Sequence, residues 1–176
     1  MVGKKTVVLT PWSDPEKYKN KWNERNQLLF KLSQNINIKS FTEYGCGPKA
    51  PFNQILLQNK YQSAILYDQF VWKGLHNNLV DFNLEFDDLH KSQCGVMSGV
   101  FEDIKKDNIS YVLKKLQLSH DFLLYSLSSK IQPQYTKKYK FAQYRKQIAD
   151  MGSILNQGKL VANKKYNDLF LLKFNK

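Results

Sequence analysis

The stretch FTEYGCGPKAPF, Phe41 to Phe52, sets an acid, two glycines one residue apart, a cysteine and two prolines between an apolar-polar run and a helical pattern. Gly45 and Gly47 can take backbone angles closed to other residues and let a ligand approach the main chain. Pro51 suits the first turn of the helix that follows. Read strictly, GCGPKA fits a dinucleotide-binding fingerprint with alanine at its last small position, and Asp68 stands about twenty residues on, where an acid would meet a ribose. A nicotinamide or flavin ligand is therefore one reading. Against a diphosphate stand Glu43, whose charge suits an ammonium group, and Pro48, which removes a backbone donor from a phosphate cradle. A triphosphate-binding loop is excluded, because Lys49 is not followed by Ser or Thr and the glycine spacing differs. A ligand carrying an amine, a carboxylate, a ribose and an adenine suits Glu43, the glycine turn and Asp68 better.

The elements that must position this turn follow from periodicity. SDPEKYKNKWNERNQLLFKLSQN opens with a capping serine, a proline and a glutamate, then places Tyr18, Trp22, Leu29 and Leu32 on one helical face. Next come IKSFTEY as strand, PFNQILLQNK as helix, SAILYD as strand, QFVWKGLHN as short helix or loop, and NLVDFN as strand. CGVMSG then reads as strand, EDIKKDNISYVLKKLQL as helix with Ile109, Val112, Leu113 and Leu116 on its face, and DFLLYSL as strand. Strands separated by helices predict an α/β three-layer sandwich with a mostly parallel sheet. The tail reads as a basic helix ending near Gly152, then the strands KLVANKKY and NDLFLLKF joined by a tight turn at Asn167-Asp168, an antiparallel hairpin. The expected organisation is one domain over 1–176, with a helical segment or lid at 1–37, a ligand-binding core at 38–128, and the tail helix and hairpin at 129–176. In such a sheet the ligand crevice lies at the carboxyl ends of the strands, and the quoted stretch is the first strand-to-helix turn there.

Composition bounds the function. With 42% hydrophobic residues and no apolar run near the ~20 residues of a membrane span, the chain reads as a folded cytoplasmic protein with no membrane partner. The N-terminal MVGKKTVVLTPW holds too short an apolar patch for a signal-peptide core. Cys46 and Cys94, and His76, His90 and His120, are scattered without metal-ligand spacing, so no metal is expected. The net charge of +12 invites a nucleic-acid reading. Yet the basic residues are 25 lysines and only two arginines, Arg25 and Arg145, and base reading leans on arginine. A solvated lysine surface outweighs a nucleic-acid site.

In order and spacing the segments from about Lys39 to Ser128 resemble the class I (Rossmann-like) S-adenosylmethionine-dependent methyltransferases. FTEYGCG is similar to the family's first motif, ILYDQF to its second strand ending in the ribose-binding acid, VDFN to its third strand beside the adenine pocket, and VMSGVFEDI to its fourth strand. The resemblance implies S-adenosylmethionine as cofactor, held by Glu43, Gly45, Cys46 and Gly47, by Asp68 and Gln69, near Asn83, and by Ser98 with Gly99. The third glycine of the family's fullest first motif is replaced by Lys49. The histidine that many relatives carry after the fourth-strand acid is Asp103.

Methyl transfer from a sulfonium is an in-line displacement in which alignment supplies most of the acceleration, and a base is needed only for a hydroxyl or protonated amine acceptor. Residues beyond the fourth and fifth strands should face the methyl group: Phe101, Glu102 and Asp103, then Tyr125, Ser126 and Ser128. Glu102 or Asp103 is the candidate base, weighed against the plain role of helix N-terminal acids. Arg145, on the tail helix, resembles an arginine of relatives and is the candidate anchor for an anionic acceptor such as a phosphorylated sugar, weighed evenly against a surface salt bridge. SGVFEDI lacks the Asp/Asn-Pro-Pro-aromatic signature of nucleic-acid amino methyltransferases and resembles enzymes acting on small molecules and glycan precursors. The leading expectation is thus a small or sugar-like acceptor. A nucleic-acid or protein methyltransferase, and a non-catalytic binding module of the same fold, are the alternatives.

Overall fold

The computed structural model describes residues 15–82, 89–128, 141–162 and 165–176. In chain order the elements are α1 (Pro15–Ser33), β1 (Phe41–Tyr44), α2 (Pro51–Gln58), β2 (Ile65–Asp68), β3 (Asn78–Leu79), β4 (Cys94–Met97), α3 (Ile109–Ser119), β5 (Phe122–Ser128), α4 (Phe141–Ala149), β6 (Gly152–Ala162) and β7 (Lys165–Phe174). The strands form one sheet of seven in the order β3-β2-β1-β4-β5-β7-β6. β1 to β5 run parallel, and β7 and β6 run antiparallel at the end, as the alternation and the tail pattern predict.

Every residue of β1 and β4 is buried, the signature of parallel strands covered on both faces. On one face Tyr44, Tyr67, Met97, Leu123 and Tyr125 pack with Ile109, Val112, Leu113 and Leu116 of α3 and with Ile148 of α4. On the other, Phe41, Leu66, Val96, Leu124 and Leu171 pack with Leu29, Phe30 and Leu32 of α1 and with Phe52, Ile55 and Leu56 of α2. The carboxyl ends of β1, β2 and β4 are nearly flush, since Tyr44 pairs with both Tyr67 and Met97, and β5 runs three residues further, from Tyr125 opposite Met97 to Ser128. Strand order reverses between β1 and β4, which places a crevice over the residues that follow them. No helix among the described residues is long and apolar enough to cross a membrane.

The opposite end of the sheet is closed by a polar network. His120 is buried, with Nε2 at 2.7 Å from the Tyr44 hydroxyl and Nδ1 at 3.0 Å from Ser92 Oγ. Burial pushes its pKa down to about 4, so the ring is neutral. Gly95 makes room for it: a Cβ there would lie 2.9 Å from the ring. His120 is a structural residue.

Three expectations shift. The helix expected from Glu102 begins instead at Ile109, after 3-10 turns at Phe101–Asp103 and Lys106–Asn108. Ile104 separates these turns: it takes extended backbone angles, φ −85° and ψ 131°, and its side chain is fully buried. The third strand shortens to Asn78–Leu79, where Asn77 and Asn78 turn their amides back to the carbonyls of Phe70 and Leu66. The hairpin turn does not fall at Asn167-Asp168. These residues lie inside β7, opposite Ser128 and Leu127, because β5 is long enough to pair with them.

The start of β6 is packed against its partner's backbone. A Cβ on Gly152 would come within 2.0 Å of the Lys173 carbonyl oxygen, whereas one on Gly158 would meet Leu32 at an ordinary 3.7 Å. Gly152→Ala should therefore cost about 2 kcal/mol or more of unfolding free energy by urea titration. Gly158→Ala should stay within about 0.5 kcal/mol of the parent, and equal effects would refute this packing.

Candidate ligand site at the carboxyl ends of β1, β2 and β4

The glycine turn has the left-handed geometry that its composition demands, with φ of 63° at Gly45 and 65° at Gly47. The two glycines serve different ends. A Cβ on Gly45 would strike Val100 Cγ2 at 2.5 Å, so this position exists for close packing against the β4 loop. Around Gly47 nothing lies within 4 Å of the Cβ position, so its backbone is open to an approaching ligand. Cys46 between them is buried, its amide bonded to the Tyr67 carbonyl, and burial pushes its thiol pKa up. It is a packed thiol.

Glu43 is 2% exposed and points at the start of α2, where Oε1 accepts the Phe52 amide at 3.2 Å and Oε2 the Asn53 amide at 2.9 Å. The first turn of a helix offers unpaired N–H groups and a partial positive charge. Here a carboxylate of the protein already occupies it. Burial pushes the Glu43 pKa up to about 8, against the two amides that favour the charged form, and the nearby charge of Asp68 adds to the rise.

Asp68, buried at the end of β2, ties the turn to the neighbouring strand. Its Oδ2 accepts the Gly47 amide at 2.8 Å and its Oδ1 the Phe70 amide at 3.1 Å. Burial raises its pKa, opposed by Gly47, the Trp72 side chain and the amides of Phe70 and Gln69. Gln69 is exposed beside it. Asn83 lies outside the described residues. Two carboxyl groups thus stand near adjacent strand ends with an open glycine backbone between them, a surface suited to a cation and to hydroxyl donors.

Ser98 and Gly99 follow β4, and Gly99 has φ 75°. Across them lies a residue to which sequence reasoning gave no role, Arg25 of α1. Its NH2 donates to the Ser98 carbonyl at 3.0 Å, and its guanidinium fills the space a Gly99 side chain would need, 2.6 Å from the Cβ position. Burial lowers the Arg25 pKa, and the charge of Glu102 opposes this. The one signal for it in the sequence is scarcity, as one of two arginines among 27 basic residues.

Glu102 and Asp103 share the 3-10 turn after Phe101, Glu102 half-buried and Asp103 at the solvent rim. The Asp103 pKa is pushed up to about 6, first by the desolvating protein beside it, then by the charges of Glu102 and Asp68. Arg145, on α4, is exposed and forms an ion pair with Asp168 of β7, near the carboxyl end of β5. The structure thus brings Glu43, the glycine turn, Asp68, Ser98, Gly99, Glu102 and Asp103 to one end of the sheet. Arg145 is held by a partner of its own there. Of the fifth-strand residues, Tyr125 packs against Phe101 and Phe170 on one face, and Ser126 is buried on the other, under α1.

No protein-family model and no curated protein sequence matches the chain. Solved structures do. A 1,6-didemethyltoxoflavin-N1-methyltransferase from Burkholderia thailandensis, solved with 1,6-didemethyltoxoflavin and S-adenosylhomocysteine, superposes with a TM-score of 0.70 at 10% identity over 94% of this chain and 84% of its own. The magnesium protoporphyrin IX methyltransferase of Synechocystis PCC 6803, solved with S-adenosylmethionine, gives 0.61 at 13% identity over 96% and 86%. The PH0226 protein of Pyrococcus horikoshii OT3 gives 0.67 at 12% identity over 94% of each. The chain has the Rossmann-like methyltransferase fold.

Glu43 makes a prediction about pH. Between about pH 4.5 and 8 the unfolded chain gives up this proton while the folded chain keeps it, so its contribution to stability falls as pH rises. Glu43→Gln, which cannot ionise, should remove that decline. The urea midpoint of the parent relative to the variant should therefore fall steadily from pH 4.5 to pH 8; a difference independent of pH would show that Glu43 titrates normally.

Proposed function

We propose that the chain is an S-adenosylmethionine-dependent methyltransferase acting on a small or sugar-like acceptor. The observation that carries this reading is the occupation of the α2 N-terminus by Glu43. A diphosphate bound in the dinucleotide manner needs those amides for itself. With the Glu43 carboxyl already on them those amides are closed to a phosphate, and the turn favours a ligand with a positive end beside which Glu43 can ionise.

The residues fit S-adenosylmethionine. Glu43 can ionise against its ammonium end, the open Gly47 backbone admits close approach, and Asp68 keeps acceptor capacity for ribose hydroxyls beside the exposed Gln69. When bound, this cofactor supplies a methyl group on a sulfonium centre, already a good electrophile. The chain's task is then alignment of a nucleophile, which falls to Ser98, Gly99 and the Phe101–Asp103 turn. Asp103, with a pKa near 6, is mostly ionised at neutral pH and close to the optimum for accepting a proton from a hydroxyl or ammonium acceptor. The small-acceptor reading is supported by similarity in fold to enzymes named for toxoflavin and porphyrin substrates. A nucleic-acid acceptor is the second reading, favoured by the net charge of +12.

Calorimetry should show micromolar-range binding of S-adenosylmethionine and S-adenosylhomocysteine and none of NAD; binding of NAD alone would end the proposal. Below pH 8, binding should also release protons as Glu43 ionises, seen as a dependence of the heat on the buffer. Asp68→Ala should weaken both ligands at least about tenfold, roughly the loss of one charge-assisted hydrogen bond, with the circular dichroism spectrum unchanged. Unaltered affinity would remove Asp68 from the site.

A further inference from the structure

α1 packs on one face of the sheet with Arg25 reaching the loop after β4, and around it several buried polar atoms make no hydrogen bond among the described residues. They are Nε of Arg25, Oδ1 of Asn26, Oγ of Ser98, Oγ of Ser126 and Nδ2 of Asn167. Ser126 is wholly buried, Asn26 is 1% exposed and Asn167 3%. Buried polar groups are nearly always partnered, because an unmet donor or acceptor has lost its water for nothing in return. So many around one helix call for a ligand.

The strand registers place three of them in a row. Met97 pairs with Tyr125, so Ser98 and Ser126 are the next residues on adjacent strands. Ser126 pairs with Leu169 and Ser128 with Asn167, which makes Ser126 and Asn167 diagonal neighbours on one face. Arg25 joins the row at its Ser98 end through the bond to the Ser98 carbonyl.

The chemistry of the row is one-sided. Arg25 and Asn167 offer N–H donors, Ser98 and Ser126 offer hydroxyls that can donate or accept, and the fixed acceptors are Asn26 Oδ1 and the Glu102 carboxyl beside Arg25. Arg25 adds a positive charge that Glu102 balances in part. A group rich in lone pairs meets these donors, and a negatively charged one meets them most strongly.

We propose that Arg25, Ser98, Ser126 and Asn167 form an oxyanion-recognition site for the methyl acceptor, so that the acceptor carries a carboxylate or a phosphate. This rests on the methyltransferase reading and assigns to Arg25 the anchoring role that the sequence suggested for Arg145. The glycine at position 99 is then a specificity feature, since any side chain there would displace the guanidinium.

The test uses the full chain saturated with S-adenosylhomocysteine and titrated, by calorimetry, with inorganic phosphate, benzoate and the neutral benzamide. Saturable binding of phosphate or benzoate, with benzamide silent, is expected; whichever anion binds tighter identifies the phosphorylated or the carboxylate-bearing acceptor class. Arg25→Gln should weaken the anion at least tenfold while S-adenosylhomocysteine binds within twofold of the parent. Ser126→Ala, a milder change that keeps α1 anchored, should weaken the anion about threefold and serves if the arginine variant does not fold. S-adenosylhomocysteine bound with no anion bound, or anion binding indifferent to both substitutions, overturns this inference alone. Failure of S-adenosylhomocysteine to bind the parent overturns the methyltransferase reading and the inference with it.

Discussion

Glu43 sits in the middle strand of a parallel sheet, where its neighbours Phe41, Thr42 and Tyr44 are all buried and where an isolated carboxylate would be costly. It survives there by taking two amides from the first turn of α2. That helix is only eight residues long, too short to be stable by itself, and its start is fixed by Pro51 and by this carboxylate. The loop from Gly45 to Ala50 is thereby held at both ends, and Asp68 holds its centre through Gly47. Val100, the next strand's contribution, fills the space that Gly45 leaves. The ligand surface is thus a set of backbone positions fixed by two buried acids.

The same burial gives the fold two opposed responses to pH. His120, neutral in the folded chain down to about pH 4, makes the protein less stable as pH falls from about 6.5, because the unfolded chain takes up a proton that the folded one refuses. Glu43, protonated in the folded chain up to about pH 8, acts in the opposite sense as pH rises from 4.5. Across the shared interval the two contributions offset each other. A cationic ligand that lets Glu43 ionise relieves the alkaline side.

Much of this was legible in the residues. The order of strands and helices follows from alternating apolar runs, and the turn from Gly45, Gly47 and Pro51. Glu43 and Asp68 stood out as acids at the ends of apolar strands. Other features depend on contacts distant in sequence. Arg25 meets Ser98 across 73 positions, so no local pattern could announce it. The β3 strand reads as longer than it is, and the bonds of the Asn77 and Asn78 side chains to the carbonyls of Phe70 and Leu66 are equally invisible in a local pattern. Asn167 and Asp168 have turn chemistry, but β5 runs far enough to pair with them, and sheet pairing overrides the local preference.

The sheet's outer strands differ in how they end it. β3 is two residues long and offers little ladder to a newcomer. β6 is eleven residues long and exposes Ile154 and Leu155 at 40% and 44%, which on a regular strand would be a template for another chain. Its pairing with β7 slips between Ile154 and Asn156, a bulge that kinks the strand where it is most apolar. Brevity at one rim and irregularity at the other guard the molecule against edge-to-edge aggregation, and straightening that bulge by deleting Leu155 would trade a local defect for a sticky border.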